Sequence, residues 1–149
     1  MVTEDYVSFD IAVLLKEAGF NESVNHVYSD KKELLQLKDY AIRDLTNSEC
    51  NNYKNWQFPI ETVNSIISAP TLQMVMKWLR EIQGLNIYAR AVWKDVEVQY
   101  DYWKSTVVGY DWLIESLIDD TYSRMSTEPF LTYEEACEVA IKYCLTNLI

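Results

Sequence analysis

The chain has 149 residues, with 23 acidic and 13 basic side chains and a formal net charge of −10. Such acidity repels phosphate backbones, and the nearest basic pair, Lys31 and Lys32, has an acidic residue on either side. These features argue against direct nucleic-acid binding and against binding to an anionic membrane. Apolar residues make up 49% of the chain, and Gly and Pro number three each, which predicts one domain with a packed core.

Cellular location is indicated by what the sequence lacks. It contains neither a basic leader followed by an apolar run nor an apolar run of about 20 residues, the length that spans a membrane. Cys137 and Cys144 lie two helical turns apart, roughly 10 Å by helix rise, which is too far for a disulfide, and Cys50 is remote in sequence. We therefore expect a cytoplasmic protein with buried, reduced thiols and no membrane segment.

The first predicted element is a helix over residues 7–20. Ser8 can cap its N-terminus, and the apolar residues that follow recur at helical spacing. Gly19 can adopt the left-handed conformation that ends a helix. Both ends of this helix are therefore marked in the sequence.

The segment after the first helix gives weaker signals. Residues 24–28 fit a short strand, whereas residues 34–45 fit a helix and a strand about equally, so their structure stays undecided. Residues 46–55 are rich in Asn and Ser, which predicts an exposed loop because these side chains bond to their own backbone. Pro59 then begins a turn or short helix that leads into the next element.

The central helix is predicted over residues 68–85. Pro70 is suited to its first turn because its φ is preset and it has no N–H to leave unpaired. Ser68 or Thr71 can cap the N-terminus, and Gly84 can end the helix. Apolar residues between these marks recur on one helical face.

After the central helix the apolar period changes from 3.6 to 2, which is typical of strands. We predict strands over residues 87–93 and 96–102, joined by a turn at Lys94 and Asp95, and a third strand over residues 110–117. Alternation of this kind indicates an antiparallel sheet with one face against helices.

The last predicted helix begins at Thr132, whose hydroxyl can form a capping box with Glu135. The elements together predict an α+β fold: a single domain, residues 1–149, with an antiparallel meander of three or four strands and helices packed on one face. The predicted order is helix, N-terminal mixed segment, helix, three strands, helix.

Three blocks of the sequence resemble a known family. They are FDIAVLLKEAGF (residues 9–20), SAPTLQMVMKWLRE (residues 68–81) and TYEEACEVAIKYCLTNLI (residues 132–149). They resemble small acidic proteins from phage-like and mobile elements of the Bacteroides group of gut bacteria. That family has no assigned activity, so the resemblance implies a genomic setting and no catalytic residues. We expect residues 93–110 to be the part that varies among such relatives.

Side chains that carry catalysis or bind metals are sparse. His26 is the single histidine and, with three scattered cysteines, gives no zinc spacing. The three glycines form no phosphate-binding loop. Asp119 and Asp120 could help to hold a cation, but a turn is the favoured interpretation. We therefore predict no catalytic residue, no metal and no cofactor.

The aromatic residues between positions 93 and 112 are the feature that folding explains least. Sheet packing would account for them, because strands favour aromatic side chains. The other interpretation is a contact surface, because Tyr and Trp are enriched at protein interfaces. The candidate protein-binding residues are Trp93, Tyr100, Tyr102, Trp103 and Tyr110. Acidic residues interleave with them, which would suit a basic protein partner or a second copy of the chain.

These observations predict a non-enzymatic accessory protein that acts by protein contact, with homo-oligomerisation as one form of that contact. Two alternatives stay open. One is an acidic decoy that occupies a nucleic-acid-binding host protein, and the other is a small hydrolase that uses carboxylates in a pocket at the sheet edge. A deep pocket with two convergent acids would favour the hydrolase, and an exposed aromatic patch would favour binding.

Overall fold

The computed structural model of the chain describes residues 4–52 and 63–149. It shows a mixed α+β chain, which confirms the predicted fold class. The chain divides into two compact units, one formed by Met1–Val75 with Leu145–Ile149 and the other by Met76–Cys144. The single-domain assignment stays a prediction. The helices are α1 (Phe9–Glu17), α2 (Asn47–Cys50), α3 (Leu72–Ile82) and α4 (Tyr133–Asn147), and the strands are β1 (His26–Ser29), β2 (Leu34–Gln36), β3 (Ile66–Ser68), β4 (Leu85–Gln99), β5 (Tyr102–Ser116) and β6 (Ser123–Met125).

Helix α1 confirms the first predicted helix, with narrower bounds than residues 7–20. The Ser8 hydroxyl accepts a backbone hydrogen bond in the first turn. Gly19 has a φ of +88°, and the next residue, Phe20, donates its backbone N–H to the Leu15 carbonyl at 2.9 Å. This bond is one of the pair that defines a glycine-terminated helix end. It turns the chain back so that the Phe20 side chain is buried.

The segment that the sequence left undecided begins with strand β2 and continues as a 3₁₀ helix over Leu37–Tyr40. β1 lies between β2 and β3, antiparallel to both, with Val27 opposite Leu35 on one side and Ser68 on the other. The predicted strand over residues 24–28 is thus confirmed in shifted form. The predicted turn or helix after Pro59 is wrong over Ile66–Ser68, which is strand β3, and Pro59 itself lies outside the described residues. The core under this sheet contains Val27, Leu35, Leu37, Cys50, Val63 and Ile66.

The loop predicted over residues 46–55 is wrong at its start, where α2 forms. Thr46 and Glu49 make a capping box in which each side chain bonds to the backbone N–H of the other residue. Asn47, the first residue of the helix, is buried, and its side chain bonds to backbone groups of two other segments. The polar residues at the start of this segment therefore form a short helix that is held in place by the hydrogen bonds of Asn47.

Helix α3 confirms the central helix and decides between its candidate caps. The Thr71 hydroxyl accepts from the backbone N–H of Met74 at 3.2 Å, whereas Ser68 belongs to β3. Pro70 lies before the helix and outside its first turn, which corrects the prediction. Gly84 follows the helix with a φ of +67°, as its residue type predicts.

The second sheet is an antiparallel meander in the order β4, β5, β6. The predicted turn at Lys94 and Asp95 is wrong, because β4 runs through both residues and pairs them with Thr106 and Ser105. The turn lies at the two residues between Gln99 and Tyr102. The strand predicted over residues 110–117 is the second half of β5, and the third strand is β6.

Helix α4 confirms the last predicted helix. The Thr132 hydroxyl accepts from the Glu135 backbone N–H at 3.1 Å, which is one of the two hydrogen bonds of the predicted capping box. At the covered half of the sheet, Trp112 is buried and its ring lies 5.5 Å from that of Tyr143 on α4. The buried residues of α4 are Ala136, Cys137, Ala140, Ile141, Cys144 and Leu145.

Candidate functional site

The candidate site is a hairpin arm formed by residues 93–108, the outer halves of β4 and β5 with their connecting turn. Every residue of this arm is exposed, on both faces of the two-stranded ribbon. The other half of the same hairpin behaves differently, since Leu85, Ile87, Trp112 and Ile114 are buried. The hairpin therefore changes from half-covered sheet to bare ribbon along its length.

The base of the arm is marked by a chain segment that lies antiparallel alongside β5. Tyr110 and Phe130 exchange two backbone hydrogen bonds, of 2.8 and 2.7 Å. The register also shifts between Val92 and Trp93, whose partners are Gly109 and Val107, so Val108 is an extra residue in β5. A bulge of this kind bends a strand and increases its twist, so the direction of the arm changes at its base.

One face of the arm carries aromatic rings and carboxylates. Because residues opposite each other in an antiparallel pair share a face, the register places six side chains together: Trp93, Asp95, Glu97, Trp103, Ser105 and Val107. The Ser105 hydroxyl donates to the Asp95 carboxylate at 2.6 Å, which agrees with this assignment. The two carboxylates give this acidic-aromatic face a formal charge of −2.

The opposite face of the arm carries lysines. Lys94 pairs with Thr106, and Val96 pairs with Lys104. Residues on this face alternate along each strand with those of the acidic-aromatic face. The two ammonium groups give this lysine face a formal charge of +2, so the ribbon has two faces of opposite sign.

The tip of the arm carries an aromatic side chain that is almost fully open to solvent, with Tyr100 91% exposed. Asp101, the second turn residue, has a φ of 60°, a left-handed conformation that Asp tolerates better than most residues. Its backbone N–H donates to the Glu97 carboxylate at 3.2 Å. A second register shift, between Glu97 and Gln99, leaves Val98 unpaired and exposed.

The structure divides the five candidate binding residues. Trp93, Tyr100, Tyr102 and Trp103 lie in the arm and are exposed, the two tryptophans by 64% and 60%. Tyr110 lies outside the arm and is half-buried, with its ring 6.1 Å from that of Tyr133 on α4. The structure therefore places Trp93 and Trp103 on one face of the arm, Tyr102 on the opposite face and Tyr100 at the tip, and it separates Tyr110 from them.

Sequence reasoning missed the lysine face and the exposed valines. Val96 and Val98 are 42% and 59% exposed, and Lys94 and Lys104 flank the first of them. The available signal was the continuous alternation through Lys94 and Asp95, which fits one long strand better than two short ones. Moving the turn to residues 100 and 101 does not by itself give the two faces, because the extra residue Val98 shifts every pair beyond it by one position.

His26 forms local contacts on β1. Its ring lies 4.2 Å from that of Tyr6, and its Nδ1 lies 2.7 Å from the Asn25 side-chain oxygen. Partial burial lowers the pKa of His26, against the opposing effect of the nearby Glu4 and Asp39 carboxylates. Among residues 4–52 and 63–149, no group of three His, Cys, Asp or Glu side chains could hold a metal ion.

A cleft of about 490 Å³ lies beside Trp112 and the start of α4. Glu128 and Glu135 line it, but both side chains are exposed. A two-carboxylate hydrolase needs one acid that is buried and held protonated, and neither of these two is buried. The cleft therefore does not supply the arrangement expected of that alternative.

The pair Asp119 and Asp120 forms a turn, as the favoured interpretation predicts. The Asp119 carboxylate accepts from the backbone N–H and the hydroxyl of Thr121, at 3.0 and 2.6 Å. These hydrogen bonds lower the pKa of Asp119. The carboxylate is thus engaged in its own turn.

Fold and site together define an α+β chain with an exposed, two-faced hairpin arm. In the part of the chain that the structure describes, no helix is long and apolar enough to cross a membrane. Comparisons with protein-family profiles, with curated proteins and with solved structures find no match to this chain.

Proposed function

We propose that this chain is a non-enzymatic accessory protein that acts by protein contact through its hairpin arm. The observation that carries the proposal is that every residue from 93 to 108 is exposed, on both faces of the ribbon. A two-stranded ribbon with neither face covered is at best marginally stable in water. A partner that covers one face would both order the arm and gain contact area.

The aromatic residues of the arm are numerous enough to support such a contact. A fully buried aromatic side chain removes roughly 150–250 Å² from water, at ~25 cal/mol per Å². Association itself costs about 4–15 kcal/mol, so one ring is insufficient. Trp93 and Trp103 share the acidic-aromatic face, and covering both reaches the lower part of that range.

The outer edge of β4 offers a second mode of contact. β4 pairs with β5 on one side, and no described strand pairs with its other side over the 15 residues of Leu85–Gln99. An exposed edge presents backbone donors and acceptors to which a partner strand can add. A partner can therefore contact both a face and an edge of the arm.

We also propose the setting in which this contact operates. The phage-like or mobile-element origin is supported by the resemblance of residues 9–20, 68–81 and 132–149 to small acidic proteins of such elements. A cytoplasmic location is supported by three buried cysteines, Cys50, Cys137 and Cys144, all of which are free thiols.

The test removes the arm and leaves the covered sheet intact. Val92 and Gly109 are directly paired, so residues 93–108 can be replaced by Asn-Gly, which forms a tight two-residue hairpin turn. A second variant changes Tyr100, Tyr102 and Trp103 to Ser. The matched control changes two exposed apolar residues outside the arm, Ile82→Ser and Leu131→Ser.

Affinity capture from the host lysate and light scattering of the purified protein are the measurements. We expect both arm variants to lose self-association and specific capture while their circular dichroism matches that of the original chain. The control variant should retain both. Unchanged mass and unchanged capture in folded arm variants would overturn the proposal.

A further inference from the structure

The two faces of the arm carry equal and opposite formal charge at similar spacings. Asp95 and Glu97 lie two residues apart on β4, ~6.8 Å by strand rise. Lys94 and Lys104 are diagonal neighbours across the pair, ~7–8 Å apart. The strand positions of the two acids are thus spaced almost as far apart as those of the two lysines.

We infer that the arm's partner is the arm of a second copy, with the acidic-aromatic face of one arm stacked on the lysine face of the next. The inference rests on the proposed function and identifies its partner. Sheets stack about 10 Å apart, a distance that lysine side chains can bridge. Charge complementarity of this kind fixes register and orientation.

The apolar groups of the two faces also match. Val96 lies between the two lysines on one face, and Trp93 and Trp103 flank the carboxylates on the other. In the stack, Val96 and the aliphatic stems of Lys94 and Lys104 cover indole rings that are otherwise open to water. An ammonium group within about 6 Å of an indole ring is attracted to its face. The stack therefore covers the exposed tryptophans and neutralises the charges together.

Charge also selects the symmetry of the assembly. A two-fold axis would stack each face on a copy of itself and place carboxylates against carboxylates or lysines against lysines, which is repulsive. Head-to-tail stacking places opposite charges together at each contact. Such a contact repeats and yields a closed ring or an open helical assembly.

Two charge-reversal variants test the inference. Lys94→Glu with Lys104→Glu makes both faces acidic, and Asp95→Lys with Glu97→Lys makes both faces basic. Sedimentation velocity of each variant alone should show association weakened by on the order of tenfold or more, because every contact becomes repulsive. An equimolar mixture should associate again, because an acidic face then meets a basic face at every contact.

The control carries the same charge change elsewhere, with Lys77→Glu and Lys142→Glu on exposed helical positions. It should associate like the original chain. Raised salt should dissociate the original chain, since exposed charge pairs are screened. If a reversal variant does not fold, Asp95→Asn with Glu97→Gln removes the charge conservatively and should weaken association in the same direction.

A monomeric original chain at low salt and high concentration would overturn the inference. So would a mixture of the two reversal variants that stays monomeric, or a single reversal variant that associates as tightly as the original. If the protein is monomeric and yet captures another protein through the arm, the proposed function stands and the second-copy partner is excluded. If arm removal changes neither mass nor capture, both fail.

Discussion

Gly109 lies so close to Phe130 that a Cβ atom on the glycine would come within 2.6 Å of the Phe130 carbonyl oxygen. The φ of Gly109 is not in the left-handed region, so glycine is required here because a side chain would not fit, and not because of the backbone conformation. The close approach lets the segment around Phe130 pair with Tyr110 across β5. It thereby fixes where the covered half of the hairpin ends and the arm begins.

Gly109→Ala is predicted to destabilise the chain. The added methyl group must displace a backbone carbonyl, an overpacking that costs about 1–3 kcal/mol in free energy of unfolding. Urea denaturation measures this change. The matched control is Val108→Ala at the exposed neighbouring position, which should change stability by ~0.5 kcal/mol or less. Equal stability of the Gly109 variant and the original chain would show that the segment around Phe130 does not pack on β5 as described.

Asn47 is predicted to anchor α2 through both atoms of its amide. Its Nδ2 donates to the Phe20 carbonyl at 2.8 Å, and its Oδ1 accepts from the Ser68 N–H at 3.0 Å. Asn47→Ala removes both hydrogen bonds, and losing such a bond to a buried group costs about 1–3 kcal/mol in free energy of unfolding. Thermal and urea unfolding should show the loss.

The Asn47→Asp variant tests the two hydrogen bonds separately, because it keeps one and removes the other. A carboxylate still accepts from Ser68 but has no N–H for the Phe20 carbonyl and repels it. At neutral pH this variant should also be destabilised. Stability should recover in part at low pH, where a protonated carboxyl can donate to Phe20. Full stability of the Asp variant at neutral pH would contradict the assignment of the Phe20 bond.

The cysteines are predicted to react only after unfolding. Burial raises the pKa of Cys50 and of Cys144 to about 12, against an ordinary value of 9.0. A thiol reagent at mildly alkaline pH should therefore modify them at a rate that follows unfolding, and urea should accelerate the reaction. Rapid modification of the folded chain would show that these thiols are accessible.

The same thiols make stability depend on pH. Their pKa is higher in the folded chain than in the unfolded chain, so their contribution is full below pH 9.0 and is lost as pH rises towards about 12. Denaturation across this window should show falling stability. The double variant Cys50→Ala with Cys144→Ala should show a shallower fall, and an equally steep one would assign the effect to other groups.

The sequence predicted best those elements whose ends carry local signals. Gly19 and Gly84 have positive φ as their residue type predicts, and Thr132 caps α4 through its own hydroxyl. Each of these signals acts within a few residues of the chain. Fold class followed because such signals, combined with apolar period, identify helices and strands one at a time.

The same reasoning failed where local composition conflicts with long-range pairing. Lys94 and Asp95 are residue types that favour turns, but in the structure they pair with residues of β5. The turn lies instead at Tyr100 and Asp101, and Tyr100 is a bulky residue that does not signal a turn. Asn47 stands in a polar run, yet its partners Phe20 and Ser68 are more than twenty residues away in sequence. Only the three-dimensional structure shows the strand pairing and these long-range hydrogen bonds.

Exposure of the candidate site could not be read from the sequence either. Both alternating sets in residues 93–108 contain apolar side chains, a pattern equally expected of a buried strand. Trp93 and Trp112 have the same residue type in the same hairpin, but only Trp112 is buried, on the half of the sheet that carries Tyr143. The difference depends on where α4 packs.

Amide hydrogen exchange of residues 93–108 at increasing protein concentration shows whether the arm becomes ordered through protein contact. We expect fast exchange in the dilute chain, because a bare two-stranded ribbon opens readily, and slower exchange as association covers it. The amides of Tyr88 and Leu113, which lie opposite each other in the inner half of the hairpin and bond within the β4–β5 ladder, should be protected throughout and serve as the internal reference. Strong protection of the arm in a dilute monomer would show that the ribbon is stable alone and does not need a protein partner to become ordered.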